Sequence, residues 1–162
     1  MPSIRVIGDE VLRDVAKEVT EFDDKLKNFA NEMIDIMHDS EGIGLAAPQI
    51  GISIQLLVIN ISSLEKESEP RIFVNPEIIE SWGEATRSEG CLSIPGVQED
   101  ITRPEEILLK YNDVSGEQLT EKFDGWMSRV LQHETDHLKG ILFIDYLSPI
   151  KQKLVLNQFS LS

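Results

Sequence analysis

The sequence is poor in cysteine and histidine: it has one cysteine, Cys91, and three histidines. A lone cysteine cannot form a disulfide within the chain, which favours a reducing compartment. No apolar run approaches the ~20 residues of a membrane span, and residues 1–5 do not resemble a secretory signal. We therefore expect a cytoplasmic protein without membrane contact, or an organellar matrix protein whose transit peptide has been removed.

Basic residues are also scarce. Fifteen lysines and arginines stand against 29 aspartates and glutamates, which gives a formal net charge of −14. Because phosphate binding depends on Lys and Arg, this balance argues against direct binding to nucleic acid. A solvated acidic surface is the simplest interpretation of the charge, and the sequence makes no prediction of oligomeric state.

The length of 162 residues and the 41% apolar share suit a single globular domain that covers residues 1–162. Hydrophobic periodicity predicts helices at residues 23–41, at 124–137 with a stop at Gly140, and from Pro149 onward with Ser148 as the cap. Apolar runs predict strands at 55–61, at 71–75 before Pro76, at 107–111 and 118–123 as a hairpin, and at 141–146. This mixed order favours the α+β class over a doubly wound sheet.

The residues that indicate a reaction form one run, His133-Glu134-Thr135-Asp136-His137, which is an HExxH pattern. Helical residues four apart lie about 40° apart around the axis, so both imidazoles can bind one metal ion. Glu134 lies beside that ion, where its carboxylate can exchange a proton with a bound water. The pattern therefore predicts a metal-dependent hydrolase.

The third metal ligand is not evident from the run itself. Metalloproteases with this pattern take a downstream histidine or glutamate, but no glutamate follows Glu134 and no histidine follows His137. Cys91 is the strongest remaining candidate, since a thiolate is a good ligand for zinc or ferrous iron. A small buried side chain and a nucleophile are the other interpretations of this cysteine.

A segment of small residues, 42–51, precedes the first predicted strand and contains Gln49. Its backbone could form one wall of a narrow cleft, and the Gln49 amide could then stabilise developing oxyanion charge. A glycine-rich turn after a helix is the simpler interpretation. The remaining histidine, His38, lies on the first predicted helix and is expected to be a surface residue.

Three segments together resemble the signature motifs of peptide deformylases: Gly42-Ile43-Gly44-Leu45-Ala46-Ala47-Pro48-Gln49, Glu89-Gly90-Cys91-Leu92-Ser93 and Gln132-His133-Glu134-Thr135-Asp136-His137-Leu138. They occur in the order and at about the spacing of that family, and the resemblance covers nearly the whole chain. It implies one catalytic domain with antiparallel sheets around a central HExxH helix. It also implies hydrolytic removal of the formyl group from the N-terminal formylmethionine of nascent peptides.

The resemblance also implies roles for individual residues. Cys91, His133 and His137 would bind the metal, which would be Fe²⁺ in the native form, with Zn²⁺, Ni²⁺ or Co²⁺ able to replace it. Glu134 would be the general acid and base. The remaining matches are Gln49 and the backbone N–H of Leu92, which would hold the formyl oxygen, and the backbone of Gly44, which would contact the substrate peptide.

A methionine side chain requires an apolar pocket near the metal. Val130 and Trp126 lie one and two helical turns before His133 and share its face. Ile43, among the glycines of the first motif, could close the pocket. The alternative is that Val130 and Trp126 are ordinary core residues.

Two further positions can be compared with the family pattern. Arg103 matches an arginine that pairs with the motif glutamate, here Glu89, and we expect this pair to brace the Cys91 loop. Many family members have an arginine seven residues after the ligand cysteine, where this chain has Gln98. We expect this difference to affect how strongly, or in which way, the protein binds the backbone of the substrate peptide.

The C-terminal segment, residues 151–162, has only Lys151 and Lys153 as charged residues. We therefore expect ribosome contact through this segment to be weak. Two other functions remain as alternatives: an HExxH metallopeptidase, and a non-catalytic metal-binding protein on the same scaffold. A downstream ligand would favour the first, and a fourth protein ligand would favour the second.

Overall fold

The computed structural model describes residues 3–161. Three α-helices, α1 to α3, span Asp24–Asp39, Gly125–His137 and Pro149–Gln158. Seven strands, β1 to β7, span Gly44–Ala46, Leu56–Ile59, Arg71–Trp82, Ala85–Cys91, Ile94–Arg103, Glu106–Asn112 and Gln118–Phe123. Short 3-10 helices cover Glu10–Arg13, Ala47–Ile50 and Phe143–Tyr146. Within residues 3–161, no helix has the length and apolar character needed to cross a membrane.

The strands form two antiparallel sheets. The larger has the order β1-β2-β3-β6-β7, and β4 pairs with β5 in a separate two-stranded hairpin. Alternation along β2 separates the two faces of the larger sheet: Leu57 and Ile59 pack in the cluster that contains α2, whereas Leu56 and Val58 pack against α1. These features confirm the predicted α+β class.

Helix α2 lies between the larger sheet and the β4–β5 hairpin. Its Val130 and Leu131 belong to the cluster of the larger sheet, whereas its Arg129 and His133 hydrogen-bond to residues of the hairpin. Residues 128–135 and 137 are all buried. The prediction of a central HExxH helix is therefore confirmed.

The three predicted helices and the 107–123 hairpin are also confirmed, but two strand predictions are wrong. Residues 141–146 form a short, mostly apolar run that was predicted as a strand, yet residues 143–146 form a 3-10 helix. Asp145 caps this turn by accepting a hydrogen bond from the Leu142 N–H at 3.0 Å. Leu142, Phe143 and Ile144 are all buried in a cluster with β5, and a short apolar run cannot by itself distinguish this arrangement from a strand.

The second error concerns Pro76, which does not end its strand. β3 continues to Trp82, and its register with β6 shifts between Val74 and Glu77. Pro76 lies in this bulge, where a proline does not interrupt a ladder hydrogen bond. The preceding residue, Asn75, adopts the left-handed region with φ of 50°.

The Asn75 side chain fixes the bulge to neighbouring segments. Its Oδ1 accepts from the Val19 N–H at 2.8 Å, and its Nδ2 donates to the Val19 carbonyl at 2.9 Å and to Asn112 Oδ1 at 3.2 Å. Asparagine tolerates the left-handed region better than most residues. The same residue can therefore adopt the backbone conformation of the bulge and make these three hydrogen bonds.

We predict that Asn75→Ala lowers the free energy of unfolding by about 3 kcal/mol, because it removes three hydrogen bonds and because alanine tolerates the left-handed region less well than asparagine. Asn75→Gly should cost about 1 kcal/mol less, since glycine removes only the hydrogen bonds. Urea denaturation measures both values. Equal losses in the two variants would contradict a contribution from backbone strain.

Candidate metal centre and active-site cleft

Cys91, His133 and His137 come together between α2 and the β4–β5 hairpin. Their ligand atoms all lie within 4.8 Å of one another, and Cys91 Sγ is 3.3 Å from His137 Nε2. Both histidines are buried, and Cys91 is half-buried. The structure therefore brings together the three predicted metal ligands, and this group could hold a metal ion.

The position of Cys91 follows from the geometry of its hairpin. β4 and β5 stay in register up to Gly90 opposite Gln98, and the register then shifts so that Cys91 pairs with Ile94. A Cβ at Gly90 would lie 3.3 Å from the Val97 carbonyl oxygen, which is tighter than ordinary contact. The glycine thus permits the close turn that places the thiol at the helix.

Glu89 is a buried hydrogen-bond acceptor next to this group. Its Oε1 lies 3.0 Å from His133 Nδ1, and it accepts two hydrogen bonds from Arg103, at 2.6 and 2.9 Å. Burial raises the pKa of Glu89, but the hydrogen bonds from His133 and Arg103 outweigh it and hold the pKa well below its usual range. With Nδ1 bonded to this carboxylate, Nε2 of His133 is free for a metal.

Arg103 links Glu89 to the protein surface. Its Nη1 donates to Asp136 Oδ2 at 2.9 Å, and the Tyr146 hydroxyl donates to the same oxygen at 2.7 Å. The guanidinium also lies 4.8 Å from the centre of the Tyr146 ring. The structure therefore pairs Glu89 with Arg103 as the sequence predicted, and it extends the pair through Asp136.

Arg129 was not predicted, although it bonds to the same glutamate. Its Nη1 donates to Glu89 Oε2 and, at 2.8 Å, to the Ile101 carbonyl, and its Nη2 donates to the Ala85 carbonyl at 2.7 Å. Arg129 therefore ties both strands of the hairpin to α2. The sequence spacing could have indicated Arg129, because a charged residue four positions before His133 lies on the same buried helix face.

The two histidines differ in their electrostatic surroundings. Burial lowers the pKa of His133, but its contacts with Cys91 and Glu89 and the nearby charge of Glu134 raise it well above its usual value. Burial and the charge of His133 lower the pKa of His137 well below its usual value. The negative groups around His133 therefore favour a positive charge at this place, as a metal cation would supply.

Glu134 lies beside the ligand group and is 4% exposed. Its Oε2 is 4.0 Å from His133 Nε2, and its Oε1 has no hydrogen-bond partner within the described chain. Burial raises the pKa of Glu134 to about 7, although His133 acts in the opposite direction. A buried carboxyl with a free oxygen and a near-neutral pKa is suited to proton transfer.

Gln49 is held rigidly next to Cys91. Its Oε1 accepts from the Ala46 N–H at 2.9 Å, and its Nε2 donates to Ser93 Oγ at 3.1 Å and lies 3.5 Å from Cys91 Sγ. The Gln49 amide is therefore anchored by Ser93 and also lies within reach of the Cys91 thiol. Leu92 is half-buried beside Cys91 and lines the same cleft.

Of the residues described above, Gln49, Cys91, Leu92, His133 and Glu134 line a cavity of about 920 Å³ that opens to solvent. Gly44 forms one wall: a Cβ there would lie 2.7 Å from Glu134 Oε2 and 2.9 Å from Val130 Cγ1. A smaller pocket of about 80 Å³ adjoins Glu134 and is lined by all three predicted pocket residues, Ile43, Trp126 and Val130. These three also pack in or against the core cluster of the larger sheet.

His38, in contrast, is exposed and bonds to Asn60 at 2.8 Å.

Comparison with known proteins gives one consistent family. The family model described as polypeptide deformylase matches residues 1–153. The chain is 44% identical to a peptide deformylase of Brucella suis biovar 1 over 155 residues, which cover 95% of this chain and 89% of that one. A peptide deformylase of Chlorobium phaeobacteroides is 46% identical over 144 residues, with 88% and 77% of the two chains covered.

Solved structures agree. The crystal structure of a peptide deformylase from Legionella pneumophila matches with a TM-score of 0.90 and 42% identity, covering 99% of this chain and 95% of that one. A peptide deformylase from Synechococcus elongatus, in complex with actinonin, matches with a TM-score of 0.92 and 38% identity over 99% and 89% of the two chains.

We predict that Arg129→Met lowers the free energy of unfolding by about 3 kcal/mol, because it removes one partner of a buried carboxylate and two hydrogen bonds to backbone carbonyls. Lys151→Met is the control: Lys151 lies 3.5 Å from Glu99 at the surface, and its loss should cost less than about 1 kcal/mol. Urea denaturation of both variants tests this. Equal midpoints for the two variants would contradict a role for Arg129.

Proposed function

The chain belongs to the polypeptide deformylase family and is a hydrolase, and we propose that it hydrolyses the formyl amide of N-formylmethionyl nascent peptides. The products would be formate and a peptide with a free N-terminal methionine. The observation that carries this proposal is the buried Cys91–His133–His137 group with Glu134 beside it. The adjoining pocket supplies a place for the methionine side chain.

Cys91, His133 and His137 would hold one divalent metal ion. One thiolate and two imidazoles, converging within 4.8 Å, suit Fe²⁺, Zn²⁺, Ni²⁺ or Co²⁺, and we propose Fe²⁺ as the native ion. When bound, such an ion acidifies a water molecule and polarises a carbonyl group. The Glu89 carboxylate orients His133 so that Nε2 faces the ion.

Glu134 is the proposed proton carrier. Its free Oε1 accepts the proton of the attacking water and then delivers it to the nitrogen of the leaving amine. A pKa of about 7 allows the carboxyl to take up and release this proton near neutrality. Burial, which causes this raised pKa, also keeps bulk water from competing for the proton.

The remaining contacts would position the substrate. The Gln49 amide and the Leu92 backbone N–H would stabilise the oxygen of the tetrahedral intermediate, at about 3–4 kcal/mol per donor in comparable sites. Ile43, Trp126 and Val130 would bind the methionine side chain, and the backbone of Gly44 would contact the peptide.

The two alternative functions find less support. A metallopeptidase of the usual kind needs a ligand downstream of His137, but Asp145 is bonded to Arg13 at 2.7 and 3.0 Å. A closed, non-catalytic site needs a fourth protein ligand, and the group found among residues 3–161 has three members. The non-catalytic alternative also does not account for the free oxygen of Glu134.

The proposed substrate implies a protein of the cytoplasm, or of an organellar matrix, that acts on chains emerging from ribosomes. We propose that ribosome contact through α3 is weak, because only two lysines in residues 151–162 carry charge. One of them, Lys151, is 3.5 Å from the carboxylate of Glu99. The net charge of −14 also opposes direct binding to RNA.

We predict that metal-loaded protein, purified without oxygen, releases formate from formyl-Met-Ala-Ser. Glu134→Ala should slow this release at least 100-fold, because the reaction loses its general base and acid. The metal content of the variant should not change, since Glu134 is not a proposed ligand. Absence of formate with the native chain, or full activity in Glu134→Ala, would contradict the proposed function.

We also predict that Cys91→Ser and His137→Ala lose bound metal on gel filtration, because each removes one of three protein ligands. His38→Ala is the matched control, since this histidine is exposed and lies outside the ligand group. Elemental analysis gives the metal content per chain. A normal metal content in Cys91→Ser would place the third ligand elsewhere.

A further inference from the structure

Trp126 forms part of the wall of both cavities in the cleft. It lines the pocket of about 80 Å³ that is proposed for the methionine side chain, and it also lines the larger cavity of about 920 Å³. The residue is half-buried and packs on one side against the core cluster of the larger sheet. The orientation of its indole ring therefore determines where the small pocket ends.

The backbone at Trp126 does not fix this orientation by itself. Trp126 lies in the first turn of α2, directly after Gly125, which has φ of 57°. The side chain of Asp124, at the N-cap position, makes no capping hydrogen bond. The first turn of a helix lacks intrahelical partners for its N–H groups, so without a side-chain cap it is held less firmly than the middle. The ring thus depends on the side chains that pack against it.

Arg87 provides such a contact. Its Cζ lies 4.9 Å from the centre of the Trp126 ring, within the range of a cation–π interaction. Its Nη2 donates to Glu105 Oε1 at 3.4 Å, and both of these side chains are about one-third exposed, at 32% and 36%. Arg87 lines neither cavity. It therefore contacts the ring from outside the pocket and holds it without occupying space that a substrate would use.

The register between β4 and α2 places Arg87 at this ring. Alternate residues of a strand share one face, and the burial along β4 shows that this face is directed at the protein interior. The contacts of this face, taken back along the strand, are Cys91 with His137, Glu89 with His133 and Arg129, and Arg87 with Trp126. Two strand residues advance about 6.6 Å and one helical turn about 5.4 Å, so the strand contacts the helix from its last turn to its first. The register that assembles the ligand group thus also brings Arg87 to Trp126.

The position of the ring decides which side chain the pocket accepts. A methionine side chain is unbranched and flexible, so it can enter a narrow pocket. A phenylalanine side chain is a rigid ring and needs a wider one. With the indole ring held by Arg87, the pocket stays narrow. A ring free to turn away would join the pocket to the larger cavity, because Trp126 lines both.

We propose that Arg87 is a positioning residue for substrate specificity: it holds the Trp126 ring as a wall of the pocket, and it thereby favours methionine over an aromatic residue at the formylated position. This inference rests on the proposed deformylation reaction. A partly exposed cation–π contact is modest, so loss of Arg87 should lower the preference for formyl-Met-Ala-Ser over formyl-Phe-Ala-Ser about 2- to 5-fold in kcat/KM. The change should appear in KM, because Trp126 would bind the side chain and not the formyl group.

The kinetic test uses the metal-loaded full chain and these two peptides. Arg87→Met removes the guanidinium but keeps a long side chain, and it should show the lowered preference. Arg87→Lys should restore part of it, because an ammonium group can also lie over an indole ring. Lys122→Met is the matched control and should keep the native preference. Lys122 Nζ lies 4.9 Å from the centre of the Trp82 ring and 3.0 Å from Glu106, and neither Lys122 nor Trp82 lines the two cavities.

Tryptophan fluorescence gives a second readout that does not depend on catalysis. Trp82 and Trp126 are the two tryptophans of the chain, so Trp82→Phe leaves Trp126 as the only indole emitter. In this background, Arg87→Met should raise the acrylamide quenching constant of Trp126, because the ring loses the group that covers one side. Lys122→Met should leave the quenching constant at its starting value.

The outcomes separate this inference from the proposed function. An unchanged preference in Arg87→Met, an unchanged quenching constant, or equal effects of Arg87→Met and Lys122→Met would overturn the inference while deformylation stands. Absence of formate from formyl-Met-Ala-Ser with the native chain would instead overturn the proposed function, and this inference with it.

Discussion

One buried carboxylate, that of Glu89, joins the hairpin that carries Cys91 to the helix that carries both histidines. It bonds to His133 and Arg129 on α2 and to Arg103 at the end of β5. Burying these charges is costly unless each is paired, and here every charge has a partner of opposite sign. The relative position of the ligand atoms depends on this contact, together with the bonds from Arg129 to the hairpin carbonyls and from Arg103 to Asp136, because the apolar residues of the hairpin and of α2 pack in different clusters.

The other parts of the site are held by similarly local means. Gln49 is fixed through Ala46 and Ser93, and Gly44 allows the first motif to approach Glu134 without a Cβ between them. Each group thus lies on backbone that the core already constrains. Glu134 differs in its hydrogen bonding, since its Oε1 is buried without a partner among the described residues, and this free oxygen supports its proposed role in proton transfer.

Much of the site could be predicted from short sequence patterns. The HExxH spacing places both histidines on one face of a helix, and the flanking glycines mark the segment that carries Cys91. The β4–β5 hairpin was not predicted, because its residues alternate between burial and solvent without a strong apolar run. Arg129 was missed because its partners are carbonyls and a carboxylate on that hairpin. Pro76 was misread because a bulge depends on the neighbouring strand, which a single segment does not reveal.

The contacts of Glu89 have a consequence for how the protein acquires its ion. They use Nδ1 of His133 and leave Nε2 free, so hairpin and helix are joined without using the ligand atoms. Such a site does not need to fold around its ion, unlike a zinc finger. An ion bound there would then be exchangeable in the folded protein, and we expect its identity to follow cellular supply and intrinsic affinity more than the architecture of the chain.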